Sequence, residues 1–401
     1  MPAHQSHLTP SPKTAAYAVI IVLLVFTLLF TAGCSDVGHK PLTFTIWVLK
    51  IDADGNEQWT ATIDGDPNGQ GNDMIQTVDG GYAIVGSGTG PARPPGTMTT
   101  ADGGHVVVGG NYGLIRIVTL GAGGEAGLDL KTNTSPDSGY TLVEAPGGGY
   151  VVTTRLGCLK RIDESGTVLW STDLGEESDE WAWRVVRAPD GGYAAAGTNR
   201  SVGLDDEGTV LWETSYAPDR SADTIIAAPA GGFVTAGTCD GGVWVSRLDA
   251  DGDEVWDRTV ATAQPARLYI IRLSPDGTYD LIYGTTQEIE VNYREYEWIT
   301  ETTEVSLSAD GDVTGERPVE VSTIITTTGD GGYVYCGYAN PQYNDLRSHE
   351  YPGSPLRVVR LDSAGAVVWD TTFKIGEHRP VTSIIRTADG GFALFGADLD
   401  F

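Results

Sequence analysis

From about residue 44 onward, short apolar runs alternate with turn-forming clusters, and two patterns recur. The first reads apolar–apolar–x–Thr/Ala–x–Asp-Gly-Gly–aromatic, followed by small and apolar residues that end near a glycine. Its copies are "MIQTVDGGYAIVG", "MTTADGGHVVVG", "VEAPGGGYVVT", "VRAPDGGYAAAG", "IAAPAGGFVTAG", "IRLSPDGTYDLIYG", "ITTTGDGGYVYCG" and "IIRTADGGFALFG". Alternating runs on both sides of Asp-Gly-Gly predict a hairpin, because glycine supplies the positive φ of the turn and aspartate bonds the following backbone. The second pattern, V/L-x-R/K-L/I-D-x-x-G-x-x-x-W, appears as "LKIDADGNEQW", "KRIDESGTVLW", "GLDDEGTVLW", "SRLDADGDEVW" and "VRLDSAGAVVW". "IVTLGAGGEAGL" and "VSLSADGDVTG" are copies without the tryptophan. This pattern also predicts a hairpin, with the tryptophan on its second strand.

Two hairpins make a four-stranded antiparallel unit every 40–60 residues or so, the spacing of a β-propeller blade. A blade cannot bury both faces alone, so blades stack radially, and Trp59, Trp170, Trp212, Trp256 and Trp369 are expected to fill the spaces between them. The repeat region starts with a second half-unit, "IWVLKIDADGNEQW", and finishes with a first half-unit at residues 384–396. Pairing these two halves in one blade closes the ring and removes its open edges. Eight first halves and seven second halves are present, which predicts an all-β propeller of seven four-stranded blades. On this reading the extra first half is the copy at 74–88, a partial insertion; eight blades is the alternative.

Residues 14–35, "TAAYAVIIVLLVFTLLFTAGCS", carry no charge and follow Lys13. A charged start and a long apolar run predict an export leader. The domain reading is therefore leader 1–33, a short linker 34–43 and one propeller domain 44–401. An uncleaved membrane anchor is the alternative to a cleaved leader.

The net charge of −29 argues against nucleic acid as a partner, since a phosphate backbone would repel such a chain. Cys158, Cys239 and Cys336 have neither CxxC spacing nor an adjacent pair, so no disulfide framework or metal site is expected. Cys336 and Cys158 read as small buried hydrophobes. His105, His349 and His378 fall in different blades without ligand spacing. "DADGNE" (52–57) and "DADGDE" (249–254) invite a calcium reading, but each sits where a hairpin turn is required and lacks the distant glutamate of a calcium loop. They are read as turns. No nucleophile elbow or P-loop is found, and no catalytic residue, metal or cofactor is assigned.

The end of the leader, "TAGC", resembles the lipobox of secreted lipoproteins, which implies lipidation at Cys34; Thr31 stands where that motif usually has leucine. The "LDDEGTVLWE" type of half-unit resembles the tryptophan-docking repeat of quinoprotein (PQQ-type) propellers. That repeat type includes cofactor-dependent alcohol dehydrogenases and also non-catalytic lipoprotein propellers that scaffold membrane assemblies. The "DGGY" half-unit is similar to repeats in exported prokaryotic surface proteins, archaeal ones included. This chain has no vicinal cysteine pair to lie against a quinone, nor a match to the enzymes' calcium ligands or catalytic aspartate. The resemblance therefore implies the scaffold branch.

Both kinds of hairpin turn fall on one face of such a ring, and the connections between hairpins and between blades fall on the other. The irregular insertions, at 91–99, 172–183, 285–304 and 338–356, are all of the second type. Loops on a rigid scaffold commonly carry binding residues. The candidate ligand or partner residues are Trp181, Trp183, Tyr293, Tyr296, Trp298, Tyr338, Tyr343 and Tyr351, with packing onto the rim as the competing role. The stretch 285–304 is also read as an outward extension of its hairpin. The reading is an exported β-propeller, anchored to the outer face of the membrane, that binds protein or glycan partners through its loop-rich face. The alternative is an exported hydrolase or quinone-dependent oxidoreductase with its site at the propeller axis.

Overall fold

A computed structural model of the chain describes residues 43–400 except 68, 88–108, 111–113, 134–138, 155–156, 176–182, 229–230, 275–276, 293–294, 322–323, 340–345, 348–354 and 375–380. Seven sheets, each built on four antiparallel strands, form the blades of a propeller. Blade 1 runs Val381–Arg386, Phe392–Asp400, Thr43–Ile51, Glu57–Pro67 from the axis outward. Blade 2 is Gly69–Gln76, Tyr82–Ser87, Leu114–Leu120, Ala126–Asn133, and blade 3 is Gly139–Glu144, Tyr150–Thr154, Cys158–Ile162, Val168–Asp173. Blade 4 is Arg184–Arg187, Tyr193–Ala196, Arg200–Leu204, Val210–Ser215, and blade 5 is Arg220–Ala227, Phe233–Cys239, Gly242–Leu248, Glu254–Ala261. Blade 6 is Ala266–Leu273, Tyr279–Asn292, Glu295–Leu307, Val313–Pro318, and blade 7 is Ile324–Thr327, Tyr333–Ala339, Leu356–Leu361, Val367–Phe373. The innermost strands neighbour one another in a closed cycle.

The closure expected from the split repeat is present. Thr43–Ile51 pairs with Phe392–Asp400 in unbroken register, from Thr43 opposite Asp400 to Ile51 opposite Phe392. Lys50, 2 % exposed, adds an ion pair of 2.9 Å to Asp389 in the last Asp-Gly-Gly turn.

One expectation is corrected. The copy at 74–88 is not the insertion: Gly69–Gln76 and Tyr82–Ser87 are the inner strands of blade 2, and Tyr82–Ser87 pairs directly with Leu114–Leu120. The surplus copy is the following one, at 98–109, most of which lies outside the described residues. Both copies carry the same hairpin pattern, so the pattern alone could not choose between them. The segment inserted in blade 2 leaves between its second and third strands, as in blades 6 and 7.

The turns fold as their sequences require. In the DxxG turns, Asp52 Oδ1 accepts the backbone N–H groups of Asp54 (2.9 Å) and Asn56 (2.8 Å), and Asp249 Oδ1 those of Asp251 (3.0 Å) and Asp253 (2.9 Å). The Asn56 N–H is the largest influence on Asp52 and helps hold its carboxyl below the usual range. The carboxylates of both "DADG" stretches thus close their own hairpins.

The repeated tryptophans fill the spaces between blades. Trp59, Trp170, Trp256 and Trp369 donate their indole N–H to a carbonyl in the turn of the next blade's outer hairpin: Ala122 (3.2 Å), Asp206 (3.0 Å), Ala309 (2.9 Å) and Ala53 (2.9 Å). Each ring lies against the turn glycine, so that a Cβ on Gly311 would come within 2.7 Å of Trp256. Trp212 covers Gly252 in the same way. Each also meets the aromatic that follows the next blade's first turn, for example Trp256 on Tyr279 with ring centroids 5.9 Å apart. Two junctions lack tryptophan. Between blades 2 and 3, Leu130 lies beside Gly166, 3.5 Å from the site of a Cβ. Between blades 6 and 7, Arg317 donates to the carbonyl of Ser363 (2.8 Å), at the turn position that tryptophan addresses elsewhere.

Candidate functional site

A cavity of about 1210 Å³ lies on the axis, lined by the innermost strands of blades 1 and 3–7. Its lining residues come from the beginnings of those strands, together with Thr198 and Thr238 near the ends of second strands. Those are the ends that lead into the connections, so the cavity belongs to the loop-rich face.

A recurring backbone irregularity turns particular side chains toward the axis. The register between first and second strands slips between Gly71 and Asp73, Ala222 and Thr224, Leu268 and Ile270, and Val381 and Ser383. A longer break runs from Gly139 to Leu142. A bulge of this kind bends its strand and re-aims the extra residue. Tyr140, Asp223, Tyr269 and Thr382 sit at these bulges, and all four line the cavity.

The charges there are unlike those elsewhere in the ring. Most arginines are committed to turns or carboxylates. Arg161 donates to Pro146 and Arg247 to Gly231, carbonyls of their own blades' Gly-rich turns, and Arg116 pairs with Asp129 at 2.6 Å. Arg184 and Arg267 line the cavity, and among the described residues neither makes an ion pair or a side-chain hydrogen bond. Arg184 lies over the Tyr140 ring, 5.4 Å from its centroid. Asp223 is pushed up to about 6 by desolvation, opposed by the charges of Arg267 and Arg184. Asp73, just outside the lining, is likewise raised by desolvation to about 6 against Arg184 and the N–H groups of Leu142 (3.4 Å) and Met74 (2.9 Å). The Ser221 hydroxyl oxygen is buried on the wall without a hydrogen-bond partner among the described residues. Ile270, Ile324 and Ile325 supply an apolar wall. The arrangement can hold an anion and take up a proton near pH 6. Among the described residues, no three His, Cys, Asp or Glu side chains converge as a metal site.

The residues expected from the sequence fall elsewhere. Trp183 is 1 % exposed and packs in the core between blades 3 and 4 with Leu159 and Tyr193, which removes it from the accessible surface. Trp181, Tyr293, Tyr343 and Tyr351 lie outside the described residues, as do Cys34 and the three propeller histidines. Tyr296 and Trp298 are on Glu295–Leu307, in register with Glu290 and Glu288, and Tyr338 is opposite Leu356. The predicted extension of the blade 6 hairpin is present: its central strands pair out to Asn292 and Glu295, whereas their neighbours stop at Thr285 and Thr303. The result is a two-stranded arm on the loop-rich side. Cys336 is fully buried, with its thiol pushed up by desolvation, and Cys158 and Cys239 are half-buried.

The cavity residues were missed, although a signal for them exists. Tyr140, Asp223, Tyr269 and Thr382 each stand ten residues ahead of the turn aromatic of their blade, Tyr150, Phe233, Tyr279 and Phe392. The repeat pattern leaves that position undefined.

No family model matches the chain, and no curated protein matches it. Among solved structures, it is similar to BamB from Moraxella catarrhalis, with 15% identity and a TM-score of 0.40 over 81% of this chain and 99% of that one. It is also similar to virginiamycin B lyase from Staphylococcus aureus, with 13% identity and a TM-score of 0.48 over 81% of this chain and 98% of that one. A protein of unknown function from Bacteroides caccae gives 15% identity and a TM-score of 0.40 over 68% and 94%. Likeness at these values adds nothing to the architecture given by the strand pairing itself.

Proposed function

We propose that this chain is an exported binding module, anchored to the outer face of the membrane through a lipid on Cys34 or through its apolar leader. Its loop-rich face engages a protein or glycan partner without catalysis. The observation that carries this reading is the asymmetry of the two faces. One face consists of short hairpin turns closed by their own side chains, such as Asp52 and Asp249. The other carries the axial cavity, the projecting arm of blade 6 and the strand ends between which blades 2 and 7 have their longer connections. Rigid scaffolds with variable loops on one side are suited to recognition. With about nine residues between Cys34 and the first strand, an extended linker reaches roughly 30 Å, which keeps this face near the membrane or a membrane-bound partner.

The test is in-cell crosslinking of the C-terminally tagged chain beside a variant in which residues 286–300 are replaced by Asn-Gly, which keeps Thr285 opposite Glu301. The replacement leaves every inner pairing of blade 6 in place. A protein or glycan recovered with the parent and lost with the variant, at unchanged melting temperature, is the expected result. Equal recovery from both, or none from the parent, would overturn the reading.

A further inference from the structure

We propose that the axial cavity is a binding site for a small organic acid, its carboxylate held by Arg184 and Arg267 and its apolar body laid against Ile270 and Ile324. This goes beyond partner recognition by the loops, and neither depends on the other. In a chain of net charge −29, two arginines that line one cavity without an ion pair among the described residues stand apart from most arginines of the ring. Both act on the same carboxylate, Asp223, so one anionic group placed near Asp223 is within the field of both. Tyr140, stacked on Arg184, restricts that guanidinium. The Ser221 hydroxyl, without a partner among the described residues, supplies a neutral donor on the same wall. A guanidinium matches a planar carboxylate through paired N–H donors, and the volume of about 1210 Å³ leaves room for a body well beyond an inorganic ion. The isoleucine wall makes that body apolar.

Asp223 makes the site respond to acidity. The charges that act on it are those of Arg267 and Arg184, Tyr140 and Tyr269 share the lining, and Asp73, on blade 2, interacts with Arg184. Burial pushes Tyr269 further above its ordinary range, whereas it brings the two aspartates up to about 6. Above about pH 6 an ionised Asp223 repels the incoming carboxylate and competes for the arginines; below it the neutral acid does neither. Binding therefore strengthens as pH falls through 6, while the ligand's own carboxyl, with an ordinary pKa below 5, stays ionised.

Ligand-observed NMR titrations of the full chain, solubilised in a non-ionic detergent, test this with hexanoate, hexanamide, glucuronate and inorganic phosphate. Hexanoate is expected to bind about fivefold more tightly at pH 5.5 than at pH 7.5, and hexanamide not at all. Arg267→Gln should weaken hexanoate by about tenfold or more. Arg267 is exposed, so this variant keeps its fold, which a thermal melt verifies. Asp223→Asn should bind hexanoate at pH 7.5 as the parent does at pH 5.5 and flatten the pH profile. Equal binding of amide and acid, no hexanoate binding at pH 5.5, or an Arg267→Gln variant with parental affinity would each overturn the assignment. Tighter binding of phosphate or glucuronate than of hexanoate would overturn it as well.

Discussion

The junction between blades 5 and 6 and the junction between blades 6 and 7 solve one packing problem with opposite chemistries. At the first, Trp256 is 9 % exposed, covers Gly311 and Tyr279, and uses one hydrogen bond, to Ala309. At the second, Gly315 stands where the repeat has tryptophan, and polar groups occupy the space. Arg317 reaches the Ser363 carbonyl and pairs with Glu304 at 2.7 Å; Tyr333 donates to Glu304 at 2.8 Å; Arg272 lies over the Tyr333 ring at 4.4 Å and pairs with Asp280 at 2.7 Å. Glu304 and Asp280 are each 4 % exposed, so this junction holds ions away from water. An apolar ring gains by leaving water, whereas a buried ion pair must first offset its desolvation. The lesson is that one address, a carbonyl in the next blade's turn, can be reached by an indole N–H or by a guanidinium.

The sharpest way to break the comparison is Trp256→Ala, which removes the apolar junction. A loss of about 3–4 kcal/mol is expected in denaturant unfolding, the range for truncating a large buried aromatic. Glu304→Gln attacks the polar junction, leaving Arg317 without its ionic partner. It should cost about 2 kcal/mol, less than outright removal of a buried charge because the amide keeps an acceptor for Tyr333. Two glycine substitutions then compare the junctions at matched backbone. Gly311 and Gly365 have φ of +82° to +86° alike, at +83° and +85°, but a Cβ at Gly311 meets Trp256 at 2.7 Å, whereas at Gly365 the nearest atom is Arg317 Nη1 at 3.5 Å. Gly311→Ala should cost about 2 kcal/mol and Gly365→Ala about 1 kcal/mol, the latter from backbone strain alone. Equal losses in thermal melts would show that the tryptophan yields freely. The smallest effect has the opposite sign. Gly315 has open space around a new Cβ, so Gly315→Ala should stabilise by about 0.5 kcal/mol, chiefly by restricting the unfolded chain.

Much of the fold was legible because the blade is marked by residues that recur in most copies: the turn Asp and Gly, the following aromatic and the docking tryptophan. The closure between Thr43–Ile51 and Phe392–Asp400 could be read from the split repeat alone. What failed was the choice between two equal copies, 74–88 and 98–109, because hairpin chemistry says nothing about which hairpin finds Leu114–Leu120. The cavity was illegible for the converse reason. Arg184, Asp223, Arg267 and Tyr269 come from different blades and share only a place near the start of the first strand, where the repeat imposes nothing. Trp183 misled because a tryptophan outside the tryptophan-docking position suggested an exposed loop, yet it stands at that same undefined position and packs inward between two blades.

The register of Thr43–Ile51 against Phe392–Asp400 also constrains the life of the chain before it folds. The first of these strands is synthesised some 350 residues ahead of the second. At ordinary elongation rates of about 5–20 residues per second, that interval is roughly 20–70 s. During it Glu57–Pro67 can cover only one edge of Thr43–Ile51. The other edge, in a segment that includes Ile46, Trp47, Val48, Leu49 and Ile51, presents unpaired backbone to any neighbouring chain. A newborn molecule must therefore be shielded or kept apart from its siblings until its final strand emerges, so its yield in the cell should depend on crowding at the ribosome as well as on the stability of the finished ring.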